Sequence, residues 1–208
     1  MFLFKDKIKK RGQFWYIDLL IALFVVIVIA ILFVKGITDI VDREKDVNDL
    51  LSEGIDISNN IMSRGLLSST WCSGNDGRIG FVQDSKIVNT NFNDFKTLVQ
   101  TAGNSCSNPS SGSIDGYTKS RILLGIKSQY VIYMQNKDGD IIGNPGSKVF
   151  GYDIGVSNPT NIGDILNAID QNIGPDNKVN IFRYAFYDTD PVDGKGELIR
   201  IGITVWKK

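Results

Sequence analysis

Three groups of residues in this 208-residue chain combine types and spacings suited to chemistry. The first is Lys9-Lys10-Arg11-Gly12-Gln13, set directly against an apolar run over residues 14–34. A secretory signal peptide carries its small-residue cleavage site after the apolar segment. Here an Arg-Gly junction precedes it, so a peptidase cutting after Gly12 would leave the hydrophobic segment on the mature protein. The second group is the pair Cys72 and Cys106, both beyond the apolar run. In an oxidising exterior an isolated pair in a small domain most often forms a disulfide, with free thiols as the alternative. Closing such a loop stabilises by about 3–4 kcal/mol on the chain-entropy model. A redox pair is more often Cys-x-x-Cys, and two thiols alone make a poor metal site. The third group is Asp188, Asp190 and Asp193, whose spacing approaches an EF-hand calcium loop. Val192 takes the third ligand position, Asp193 falls one residue late and Pro191 suits a turn, so a solvated hairpin tip is preferred over a weak calcium site.

Composition removes other chemistries. Histidine is absent, which excludes Ser-His and Cys-His nucleophile pairs and His-containing zinc sites. No Walker-type phosphate loop occurs, and the plentiful Ser and Asp show no nucleophile–base spacing. Neither enzymatic activity nor a cofactor is expected. The Asn-x-Ser/Thr triplets at Asn108 and Asn158 both have proline in the middle, so N-glycosylation is not expected either. The chain has 23 basic and 23 acidic residues; the first 12 hold five and one of these, leaving 18 and 22 in the remainder, a net of −4. That balance argues against nucleic acid as a partner.

These groups depend on the elements that hold them. The run 14–34 is 21 residues long and interrupted only by Asp18, and a helix needs about 20 apolar residues to cross a bilayer core. Lys5, Lys7, Lys9, Lys10 and Arg11 crowd one flank, which places the N-terminus in the cytoplasm and the remainder outside. Phe14, Trp15 and Tyr16 fall where an interfacial aromatic belt lies. An uncleaved signal anchor shares this topology.

Basic residues, Arg11-Gly12, then Gln13 and an unbroken apolar helix resemble the class III signal peptide of archaeal type IV pilin-like proteins. The resemblance implies cleavage between Gly12 and Gln13 by a membrane-embedded prepilin peptidase. Its further implied partners are membrane lipid and other pilin-like subunits, in a structural or adhesive surface filament. A single-pass, membrane-anchored extracellular binding protein that does not polymerise is the alternative. Many type IV pilins carry Glu as the fifth residue after the cut; this chain has Ile17 there, and the carboxylate follows at Asp18. Asp18 is the assembly candidate, pairing with a neighbouring subunit's free amino terminus. It lies about 8 Å along the mature helix, where the helix dipole alone also favours a carboxylate. Looser matches are Trp71, Ile79-Gly80-Phe81, the segment 117–125 and the ending 201–206.

Helical spacing continues through Ile37, Ile40, Val41, Val47, Leu50, Leu51, Ile57, Ile61 and Met62. The layout is therefore a leader over residues 1–12, a transmembrane and amphipathic stem helix over 13–64, and an extracellular head over 65–208. Gly36 and Gly54 are expected bends. The fold class is α+β: a long helix packed on a head with an antiparallel sheet and short helices. In the head, 79–82, 128–135 and 148–156 read as strands, and 91–101, 115–124 and 160–172 as helices capped by Asn91, Asp115 and Thr160 or Asn161. Residues 103–116 read as a surface loop, and Asn136-Lys137-Asp138-Gly139 as a turn. Strand 179–187 pairs with a strand whose Ile199, Ile201, Ile203 and Val205 form one buried face. Tyr130, Tyr133, Tyr184, Phe186 and Tyr187 are expected in the core or half-buried, with an adhesive surface as the lesser reading.

Overall fold

A computed structural model describes residues 5–65, 71–73, 78–100, 106–108, 112–143, 148–156, 158–175, 177–188 and 196–207, with side chains from Trp15 onward except at 107, 108 and 188. The chain forms two compact units, Met1–Lys45 and Asp46–Lys208. Helix α1 (Lys5–Ile61) supplies the described part of the first unit and continues into the second. It begins within the residues expected as leader and ends three residues before the expected boundary.

In the first unit every described side chain of the apolar run is exposed. Its most apolar 18-residue window has a mean hydropathy of 3.3 and no burial, and α1 is the one described helix long and apolar enough to cross a membrane. Large aliphatic side chains bared on all sides suit lipid rather than water.

The second unit is α+β. After α1 come strands β1 (Val82–Gln83) and β2 (Lys86–Ile87), helix α2 (Asn89–Gln100), strands β3 (Cys106–Asn108) and β4 (Gly112–Ile114), and helix α3 (Gly116–Leu124). Then follow β5 (Gln129–Gln135), β6 (Ile141–Ile142), β7 (Val149–Gly151), α4 (Ile162–Asn172), β8 (Lys178–Asp188) and β9 (Gly196–Trp206). The main sheet runs β1-β2-β8-β9-β5-β6, with β7 also paired to β5. It is mixed rather than wholly antiparallel, because β2 meets β8 in parallel at Lys86 and Phe186. The expected hairpin of the last two strands is present in full antiparallel register, from Lys178 opposite Trp206 to Asp188 opposite Gly196.

Each face of this sheet carries its own core. On one, Tyr130, Ile132 and Met134 of β5 join Ile199, Ile201, Ile203 and Val205 of β9, covered by residues of α1, α2 and α3. Residues 46–61 of α1 lie on this face, with Leu50, Ile57 and Ile61 fully buried. Gly54 is a contact point: a Cβ there would lie 2.6 Å from Ile181 Cδ1, so the missing side chain lets the helix approach β8. One turn on, Arg183 Nε donates to the buried Ser58 hydroxyl. Glu53 accepts from the backbone N–H groups of Ser128 at 2.9 Å and Lys127 at 3.3 Å.

The opposite face holds Val131, Tyr133 and Trp206 under Ile165, Ala168 and Ile169 of α4. The last strand is thus buried on both sides over its second half, where one buried face was expected. Gly202 makes this possible: a Cβ there would overlap the Tyr133 ring, which crosses the strand at that point.

Local signals explain the starts of α3 and α4. Asp115 caps α3, accepting from Thr118 N at 2.8 Å and Thr118 Oγ1 at 2.7 Å. Asn161 and Asp164 form a capping box on α4. Asn91 does not cap α2, which starts at Asn89; its side chain instead donates to the Gly80 carbonyl at 3.1 Å. The expected strand 148–156 is only three residues long, and the expected loop around Cys106 contains the β3–β4 hairpin.

Gly202→Ala is expected to destabilise the protein by about 1–3 kcal/mol through overpacking against Tyr133, read as a shifted denaturant midpoint. Asp115→Ala is expected to cost about 1 kcal/mol at neutral pH. Partial burial pushes the Asp115 carboxyl up, but the Thr118 hydrogen bonds outweigh it and hold the group below its ordinary 3.8. The cap's contribution is therefore full above that value and fades as pH falls through the lower folded one. Unfolding curves of wild type and variant should converge well below pH 3.8.

Candidate functional site

The residues of the proposed processing junction, Arg11, Gly12 and Gln13, are helical, and their side chains lie outside those described. Asp18 is exposed on the apolar part of α1, among Leu19, Leu20 and Ile21, which are exposed too. A carboxylate in such a setting is costly in lipid, less so near a helix end.

Beyond the span-length run, α1 keeps apolar side chains exposed. In the first unit these are Ile37, Ile40 and Val41. In the second, Val47, Leu51 and Ile55 are 39%, 42% and 39% exposed and recur every fourth residue. They flank the buried line of Leu50, Gly54, Ile57 and Ile61, so the helix is apolar over more of its surface than the head covers. On a helix in water such a flank calls for a partner.

Cys72 and Cys106 are bonded, with their Cα atoms 4.6 Å apart. Cys106 is buried in β3, and the bridge joins that hairpin to the segment following α1, spanning α2 in the sequence. Such a bond fits an oxidising, extracellular setting, as the apolar helix fits a membrane anchor.

Of the weak calcium candidates, Asp190, Asp193 and the Asp188 side chain lie outside the described residues. Among the described residues, no three His, Cys, Asp or Glu side chains come together as a metal site.

The strand aromatics separate into two populations. Tyr130 and Tyr133 are wholly buried, in the two cores. Tyr130 meets the Ser120 hydroxyl, whose own proton is directed to the Tyr117 carbonyl at 2.6 Å. Tyr117 donates to Gln129 Oε1 at 2.6 Å. Burial pushes the Tyr117 and Tyr130 hydroxyls well above the usual phenol range and the Tyr133 hydroxyl up to about 12. None of these supplies a phenolate base at neutral pH.

Tyr184 and Phe186 instead stand exposed on β8, and Tyr187 is half-buried. Tyr187 packs against the helix-side core, and with Tyr184 and Phe186 the structure groups three residues that the sequence did not mark: Phe182, Leu198 and Arg200. The cross-strand pairs Phe186–Leu198 and Tyr184–Arg200 could have signalled it, but only once the register was known.

Comparison with protein-family models, curated proteins and solved structures yields no match for this chain.

Replacing both Cys72 and Cys106 by Ser is expected to lower stability by about 3–4 kcal/mol, measured by denaturant unfolding. Thiol labelling of the native protein should modify neither cysteine, and two reactive thiols would refute the bridge.

Proposed function

We propose that this protein is a structural or adhesive pilin-like subunit of an archaeal type IV pilus-like surface filament. In this reading a prepilin peptidase removes residues 1–12 by cutting between Gly12 and Gln13. The helix then holds the subunit in the membrane with its head outside, until α1 bundles with its copies. Lipid and a helical bundle offer similar surroundings to apolar side chains, so the same helix suits both. Asp18 pairs with a neighbouring subunit's amino terminus, neutralising two charges inside the bundle.

The observation that carries this reading is the exposed flank Val47, Leu51 and Ile55. A simple anchor needs apolar surface only across about 20 residues, whereas this helix keeps it through the stretch docked on the head. A neighbouring copy of the helix is the partner such a flank fits. The leader order, the disulfide and the α+β head agree with the same reading.

A second reading has its own observation. Ile17 occupies the position where many pilins carry the assembly glutamate. This favours a processed, single-pass membrane-anchored binding protein that never polymerises.

Mass spectrometry of the native protein should give a chain beginning at Gln13; any other start defeats the processing claim. Immunogold labelling of intact cells should decorate filaments. Leu51→Glu with Ile55→Glu, and separately Asp18→Ala, should abolish that labelling while leaving the head in the envelope. Wild-type label confined to the envelope would decide for the anchored monomer.

A further inference from the structure

Helix α4 covers only half of its sheet face. Val131, Tyr133 and Trp206 lie beneath it, while the other half, on β8 and the first part of β9, stays bare. There Tyr184 is 60% exposed, Leu198 48%, Phe186 45% and Phe182 36%. We propose that this bare half is a binding platform for an acidic glycan, an oligosaccharide bearing carboxylate or sulfate groups. It stands whether or not the protein polymerises.

The first argument is the shape of the apolar surface. Phe182, Tyr184 and Phe186 are alternate residues of one strand, so their side chains emerge on one face about 6.6–6.8 Å apart. Leu198 is opposite Phe186 and Arg200 opposite Tyr184. Beside them is a groove of about 460 Å³, lined by Tyr184, Leu198, Arg200 and the turn residues Asn136, Lys137 and Asp138. That volume is within the range of small-ligand sites. The electron-rich faces of aromatic rings attract the polarised C–H bonds on the flat side of a sugar ring.

The second argument is a guanidinium fixed beside those rings. Arg200 Nε donates to Gln135 Oε1 at 2.9 Å. Gln135 is wholly buried, and its amide in turn donates to the Gly139 carbonyl at 2.8 Å. The guanidinium carbon stands 4.8 Å from the centre of the Phe182 ring. Arg200 forms no ion pair with a carboxylate among the described residues. Held in place from two sides, the end of its fork is prepared for a planar or tetrahedral anion. Lys137 adds a second cation at the groove, and Asp138 an acceptor for sugar hydroxyls.

Other occupants fit less well. A stable protein contact covers about 800 Å² per partner, and four partly exposed side chains, worth at most about 150–250 Å² each for the aromatics, fall short of that. Single-stranded nucleic acid needs a track of cations along its backbone, and this groove has two, Lys137 and Arg200, with the acidic Asp138 also in the lining.

The test uses the full chain in lipid nanodiscs, titrated calorimetrically with hexagalacturonate, a sulfated heparin hexasaccharide, neutral cellohexaose and oligo-dT. At least one acidic hexasaccharide should bind, at least tenfold tighter than cellohexaose and oligo-dT. Tyr184→Ala removes a mostly exposed ring and should weaken that binding at least tenfold with unchanged thermal unfolding. Arg200→Lys keeps the charge but loses the fork, and should erase the preference for the acidic over the neutral sugar. No binding to either acidic probe, equal binding to cellohexaose or oligo-dT, or wild-type affinity in Tyr184→Ala would each overturn the proposal. So would self-association of the wild type that disappears in Tyr184→Ala.

Discussion

The head is organised by the close approach of residues 46–61 of α1 to the sheet. An amphipathic helix and a half-apolar sheet each have a face that water disfavours, and each covers the other. Gly54 sets the distance, because any side chain there meets Ile181. The Arg183–Ser58 and Glu53–Ser128 hydrogen bonds then fix rotation and register, since a buried donor or acceptor without its partner is costly. Lys207 reaches Asp46 at 2.6 Å and Asp49 at 3.2 Å near the other end of this stretch. Those exposed ion pairs add orientation more than stability.

From that contact the rest of the head follows. With the helix side of the sheet committed, α2, α3 and the disulfide-linked hairpin complete one core around Phe81, Phe92 and Phe95. The far side is left to α4, an 11-residue helix against strands of the same residue count, and to the short segment that carries Val149, Tyr152, Ile154 and Val156. A helix rises about 1.5 Å per residue and a strand about 3.3 Å, so α4 is too short and too narrow to shield the whole face. The bare aromatic half is the geometric remainder of that mismatch.

Sequence reading recovered what local chemistry encodes. Asp115 and Asn161 were legible as caps because a side chain two or three residues from its N–H partner needs no tertiary information. The final strand was legible from alternation, and the apolar helix from its length. The failures share a cause: they depend on what lies across from a residue. What Gly54 does depends on Ile181 opposite it, and what Gly202 does depends on Tyr133. Tyr133 and Tyr184 are the same residue type on the same sheet face, two strands apart, yet one is sealed by α4 and the other is not. The parallel β2–β8 pairing has a single pair in register, Lys86 and Phe186, from segments 100 residues apart, beyond any periodicity. Of the candidate sites, the disulfide was legible from composition and the Arg200 cluster was not.

The place of β9 in the sheet governs how the head can form. It is the last described strand in chain order, yet it lies between β8 and β5 and pairs with both along most of their length. As the chain emerges, β5 has only the short strands β6 and β7 to pair with, and neither core can close until β9 arrives. Contacts this distant in sequence make for slow folding and a prolonged exposure of unpaired edges. Cys72 and Cys106, by contrast, both precede β5. The covalent bond can therefore be made while the sheet is still open, keeping the early half of the head together during its wait for the strand that completes it.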